Sequence, residues 1–175
     1  MEQPMITSVT YSNSEARLTL FGVPDKPGAA ARIFTALTGA NVVVDMISQN
    51  EPASAKGLAE LSFTVPRAEL SVAEAALAPL TGDSFARLKS LAEMGKVSIV
   101  GAGFRSHPEV YAKVFGVLAQ EGVNIDMIST SPIKISCMIA SDEVLRVAHL
   151  LHSTFGLVGE GTLEEEDPFH ARKAL

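Results

Sequence analysis

The chain has 175 residues, of which 47% are hydrophobic, and a mean hydropathy of +0.24, which leaves ample material for a packed core and excludes extensive disorder. Fourteen basic residues against 20 acidic ones give a formal net charge of −6, so there is no basic stripe to neutralise phosphates and nucleic acid is excluded as a partner. No run approaches the ~18 apolar residues of a membrane span, Met1-Glu2-Gln3-Pro4 has no signal-peptide character, and the lone Cys137 cannot form an intramolecular disulfide, so a cytoplasmic setting is expected.

Residues 6–11, Ile6-Thr7-Ser8-Val9-Thr10-Tyr11, have strand composition. Residues 17–22 alternate and predict a second strand, which Pro24-Asp25-Lys26-Pro27-Gly28 turns away. From Ala29 to Leu37, Ala30, Ile33, Phe34 and Leu37 recur at helical spacing, and Gly39 is expected to end that helix. Strands are predicted at 42–49 and 57–65, then a helix at 71–80 with Ser71 as N-cap, then a strand at 85–91. The same order returns as a strand at 96–101, a helix at 108–121, strands at 123–130 and 133–140, and a helix at 142–155 capped by Asp142. Each copy therefore reads as a βαββαβ unit.

The two copies are also alike residue by residue. Arg32-Ile33-Phe34-Thr35-Ala36-Leu37 falls on Lys113-Val114-Phe115-Gly116-Val117-Leu118. At the same offset Val42-Val43-Val44-Asp45-Met46-Ile47-Ser48 falls on Val123-Asn124-Ile125-Asp126-Met127-Ile128-Ser129, and upstream Leu18-Thr19-Leu20-Phe21-Gly22 matches Val97-Ser98-Ile99-Val100-Gly101. The second copy lacks a last strand, because Gly156-Leu157-Val158-Gly159-Glu160-Gly161 is a poor candidate. Ile6–Tyr11 is expected to cross over and supply it, which inserts the first unit in the second. The expected domains are 13–92 for the first unit and 1–12 plus 93–158 for the second. Residues 159–175, with Glu164-Glu165-Glu166-Asp167, are expected to be a flexible, solvated tail.

Catalytic constellations are poorly represented. Gly101-Ala102-Gly103-Phe104-Arg105-Ser106 with Asp126 further on imitates a dinucleotide fingerprint. The third glycine is missing, and the turn near Ser131-Pro132 is too short for a parallel crossover, which excludes a doubly wound sheet. His149 and His152 share a helix without an obvious third metal ligand. His107 before Pro108 reads as a helix cap, and Cys137, in an apolar run, reads as a buried, inert thiol. The expectation is a chain with no catalytic residues, no metal and no cofactor of its own.

The informative segment is Gly22-Val23-Pro24-Asp25-Lys26-Pro27-Gly28-Ala29. A strand ends, an acid is presented, and a helix begins with small residues and free N–H groups. The helix terminus suits a carboxylate and Asp25 suits an ammonium, so together they suit a zwitterionic amino acid. Spacing alone leaves a second reading open, in which Asp25 merely caps the helix.

These residues carry a resemblance. A βαββαβ unit with Asp25-Lys26-Pro27-Gly28 between its first strand and first helix resembles the ACT domain, an amino-acid-sensing module. The paired ACT region of aspartate kinases is the closer likeness. It rests on Ile6-Thr7-Ser8-Val9, Gly22 to Gly28, Asp45-Met46-Ile47-Ser48-Gln49-Asn50, Gly95 to Gly103, Ser106-His107-Pro108 and Val123 to Ser131, and covers about residues 6–155. The resemblance implies an α+β fold of two ferredoxin-like units with antiparallel sheets. It further implies a separate regulatory β subunit, not an enzyme on its own, that forms a homodimer through its ACT domains and pairs with a catalytic α subunit. Its allosteric ligand would be threonine, possibly with lysine, in feedback inhibition of the aspartate-family amino-acid pathway. Effector contacts carried over residue by residue are Asp25, Lys26, Ala29, Ala30, Gln49, Asn124 and Ile125, with Val43, Val44, Asp45 and Ser131 at the same interface or a second effector. Glu51-Pro52 after Gln49-Asn50, and Pro132 where the pattern has an acid, favour threonine over lysine. The alternative is a free-standing ACT sensor acting on another enzyme or a transcription factor.

Overall fold

A computed structural model describes residues 5–51, 57–157 and 162–167. In chain order its elements are β1 Met5–Pro24, α1 Ala29–Gly39, β2 Ile47–Asn50, β3 Leu58–Pro66, α2 Leu70–Leu77, β4 Arg87–Ala102, α3 Glu109–Gln120, β5 Met127–Ser131, β6 Lys134–Ala140, α4 Val144–Thr154 and β7 Thr162–Glu165. Predicted strands 6–11 and 17–22 are one strand, β1, and 85–91 and 96–101 are likewise one, β4. The halves of β1 serve different cores. Val9 packs with Val97, Ile99, Val114 and Leu118, whereas Leu18 and Leu20 pack with Ile33, Leu37, Phe63 and Leu77. The chain accordingly divides into two compact units, Ser14–Glu93 and the flanking stretches up to Asn13 and from Met94 to Asp167, so the first unit is inserted in the second.

In the first unit the strand order is β2-β3-β1-β4, with β3 antiparallel to both β2 and β1. In the second it is β5-β6-β4-β1, with β6 antiparallel to β5 and β4, and β7 lying alongside β1. Both are the same ferredoxin-like arrangement, and the N-terminal half of β1 takes the place that β4 holds in the first unit. The duplication extends to a polar pair on the sheet. Thr19 and Ser62 share a hydroxyl hydrogen bond of 2.9 Å across β1–β3, and Ser98 and Ser136 share one of 2.9 Å across β4–β6. Two glycines let β4 approach β1 in the second unit. A Cβ on Gly101 would lie 2.4 Å from the Met5 carbonyl oxygen, and one on Gly95 would lie 2.8 Å from that of Ser12.

Several local expectations are corrected. Gly39 does not end α1 but is its last helical residue; the left-handed position is Asn41, at φ 57°. Asn41 N–H donates to Thr38 O and Val42 N–H to Leu37 O, a Schellman closure that Gly122 and Gly156 repeat after α3 and α4. Replacing Asn41 by Gly should therefore be neutral or slightly stabilising, while Asn41→Ala should cost about 1 kcal/mol by urea denaturation. Neither Ser71 nor Asp142 is an N-cap. Extended Pro66 and Ala140 hand the chain to 3-10 turns at Arg67–Glu69 and Ser141–Glu143, so the cap positions of α2 and α4 fall to Glu69 and Glu143. The strands predicted at 42–49 and 123–130 begin later, at Ile47 and Met127. Between them and the preceding helices, Val42, Met46 and Val123 are buried, but the Val43 and Met46 N–H groups bond to the side chains of Glu69 and Thr64 rather than to a ladder.

The acidic end is not a solvated tail. Thr162–Glu165 form β7, parallel to β1 with Val9 opposite Leu163. Beyond it Glu166 bonds Lys134 Nζ at 2.7 Å and Lys96 Nζ at 2.8 Å, accepts from the Thr10 hydroxyl, and donates its N–H to Tyr11 O. Two lysines on neighbouring strands give that carboxylate a better place than water. The rest of the expected tail, 159–161 and 168–175, lies outside the described residues, as do residues 1–4, 52–56 and 158. No helix among the described residues is long and apolar enough to cross a membrane.

Candidate effector site

Asp25 and Lys26 sit in the exposed loop after β1. The loop is tied by its backbone, with Asp25 N–H donating to Gly57 O at 2.9 Å and Lys26 N–H to Pro24 O at 2.9 Å. Helix α1 starts at Ala29 behind Gly28, whose φ of 92° requires glycine, and no side chain caps it. The capping reading of Asp25 is thereby overturned. Ala29 N–H reaches Lys26 O and Arg32 N–H reaches Gly28 O, whereas the N–H groups of Ala30 and Ala31 have no acceptor among the described residues. An exposed carboxylate thus stands beside two open helix amides, where the helix dipole favours an anion.

Gln49 lies exposed on the edge strand β2 and pairs with Leu61 of β3. Gln49 pairs through Leu61 with Leu20 of β1, so it stands two strands across from β1 and level with a residue five positions before Asp25. One chain's first unit does not bring these side chains together. Val43, Val44 and Asp45 form the segment before β2; Val43 N–H donates to Glu69 Oε2 at 2.8 Å, and Asp45 N–H to Thr64 O at 3.2 Å. In the second unit Asn124 is exposed before β5, and Ile125 packs against the core. Ser131 has local work, its hydroxyl accepting from Ile133 N–H at the β5–β6 turn. A cavity of about 260 Å³ opens beside Asn124, with Asp126 and Glu143 in its wall.

Groups with chemical potential elsewhere are quiet. Cys137 is buried, which pushes its thiol up to about 11, far from a nucleophile's range. His107 Nδ1 pairs with Glu109 at 2.7 Å, and the cap position of α3 is Pro108. Among the described residues no three His, Cys, Asp or Glu side chains gather as metal ligands.

Two stretches match the family described as ACT domain, residues 17–81 in the first unit and 97–155 in the second. The solved regulatory subunit of aspartate kinase from Thermus flavus is 36% identical with a TM-score of 0.79, covering 86% of this chain and 99% of that one. The chain belongs to the regulatory ACT-domain family of the aspartate kinases. A structure of aspartokinase alpha and beta subunits is 40% identical with a TM-score of 0.77, covering 86% of this chain and 98% of that one. The aspartokinase of Mycolicibacterium smegmatis is 40% identical over 161 residues, which is 91% of this chain but 38% of that protein. This member of the family thus spans well under half the length of the curated relatives it matches.

Sequence reasoning overlooked Glu69, Glu143 and Arg146 around the two repeat-related segments. The signal was available, since Glu69 and Glu143 stand at matching points of the two copies, but it lay in the short turns, which carry little periodicity.

Proposed function

We propose that this chain is the amino-acid-binding regulatory subunit of an aspartate kinase, works as a homodimer in the cytoplasm, and mediates feedback inhibition of a catalytic partner subunit by threonine, with lysine the second candidate. The observation that carries this reading is the Asp25 loop. An uncapped helix start with open amides at Ala30 and Ala31 would receive the ligand carboxylate, and Asp25 its ammonium. The Asp25 loop of one chain with Asn124 and Ile125 of its partner would close the pocket, for which Gln49 stands on the adjacent sheet edge. Family membership supports the partner, since a related structure holds aspartokinase alpha and beta subunits. Bound ligand would favour the arrangement in which the catalytic subunit is inactive, by as much as its affinity differs between the two arrangements.

Calorimetric titration of the purified chain tests this. Saturable heat with threonine, in the absence of any catalytic subunit, is expected; flat titrations of folded protein with both threonine and lysine would overturn the reading. Co-purification with a protein other than a kinase would instead favour a sensor for another enzyme.

A further inference from the structure

The two copies carry the same turn in two different states. Val43 and Asn124 fall together in the repeat, each two residues before an aspartate whose N–H anchors it to the neighbouring strand, Asp45 to Thr64 O at 3.2 Å and Asp126 to Met138 O at 2.8 Å. Glu69 and Glu143 also correspond, since each closes a 3-10 turn and stands at the cap position of the next helix. In the first unit the Glu69 carboxylate takes the Val43 N–H at 2.8 Å. In the second unit the Asn124 N–H has no acceptor among the described residues, and Glu143 faces Asn124 across the 260 Å³ cavity instead.

Arg146 explains the difference. Its Nε lies 2.9 Å from Glu143 Oε2 and its Nη2 closes on the same oxygen, while Nη1 holds Glu121 at 2.9 Å. Three residues after Glu69 the first unit has Val72 in place of Arg146, and just before Asn41 it has Ala40 in place of Glu121. Nothing at those two positions draws Glu69 away from Val43.

We infer that Arg146, by holding the Glu143 carboxylate, keeps the Asn124 backbone N–H open to an acceptor oxygen on the ligand, whereas Glu69 closes the matching N–H at Val43 to any ligand. The inference rests on the effector reading above and makes Glu143 and Arg146 positioning residues of that site. It assigns the open donor to the Asn124 turn and withdraws the Val43 N–H from ligand contact.

Arg146→Val, which copies Val72, tests this. Arg146 is about half exposed, so its ion pairs contribute little to stability and the variant should fold. In the parent, amide hydrogen exchange should find Val43 protected and Asn124 exchanging freely. In Arg146→Val, Glu143 should turn onto Asn124, whose amide becomes protected, and threonine affinity should fall about tenfold, the effect of losing one hydrogen bond to a charged group. Adding Glu143→Ala should expose the Asn124 amide again and restore affinity to within about threefold of the parent. An Asn124 amide that stays unprotected in Arg146→Val, or a double variant that regains no affinity, overturns the inference. A parent that binds neither threonine nor lysine would instead sink the effector reading, and the exchange contrast between Val43 and Asn124 would still decide the state of the turn.

Discussion

Asp25→Asn is expected to leave the fold within about 0.5 kcal/mol of the parent and to weaken threonine binding at least about thirty-fold. The first half follows from the loop. Its backbone bonds, from Asp25 N–H to Gly57 and from Lys26 N–H to Pro24, do not use the carboxylate, and the cap position of α1 belongs to Gly28. The second half follows from charge. Asparagine keeps the shape of the side chain and removes the partner of the ligand ammonium, a loss that grows as a dimer interface shields the pair from water. In a reconstituted kinase the variant should relieve inhibition without lowering the uninhibited rate. Calorimetry showing threonine affinity within about threefold of the parent would move the ammonium contact off Asp25 and require a different pocket.

Glu166→Gln should destabilise the second unit by about 2–3 kcal/mol, reduced from the full cost of breaking a buried pair because the side chain keeps a fifth of its exposure. Lys96 makes the loss large, since its side chain is only 8% exposed and an amide would remove the carboxylate charge that stands 2.8 Å from its ammonium. The same carboxylate sets an acid limit. Burial acts to raise its pKa, but the Lys96 charge and the hydrogen bonds from Lys134, Lys96 and Thr10 prevail and hold it at about 2, below the usual 4.5. A depressed folded pKa contributes stability that is present above the unfolded value and lost as pH falls toward the folded one. Urea midpoints of the parent should therefore drop between pH 4.5 and about 2 more steeply than those of Glu166→Gln, with the two curves approaching each other at the acid end. Parallel curves would remove Glu166 from the acid response.

What could be read from the sequence divides along the range of the interactions. The repeat and its apolar spacing located four helices and the strands around them, because Ile33 with Leu37, and Val114 with Leu118, reach the core at helical intervals. The crossing of the N-terminal strand came from counting elements in the second copy, and Val9 in that unit's core agrees with it. The strand starts at 42 and 123 were set too early because valines suit a ladder and a buried turn alike, and the Glu69 and Thr64 side chains that divert the backbone lie far along the chain. The same limit hid β7. Glu164-Glu165-Glu166-Asp167 reads as solvated on local grounds, and only the meeting of Lys96 and Lys134 on neighbouring strands makes a carboxylate there an anchor. For the site, the Asp25 loop was visible because strand, acid, glycine and helix follow one another directly. Whether Asp25 caps the helix was not decidable until the start of α1 was located.

Insertion of the first unit in the second has a consequence for synthesis. Residues 14–93 leave the ribosome as one unbroken stretch and can assemble as soon as they are out. The opening half of β1 emerges before that stretch, yet the strand it lies beside and the helices it packs under come from residues 94–157, which follow it. At about 5–20 residues per second that half-strand waits on the order of ten to thirty seconds without its neighbours, carrying Ile6, Val9 and Tyr11 in the open. A segment translated ahead of the first unit is thus sheltered only after it, and the nascent chain is most prone to aggregate through that half-strand during the interval.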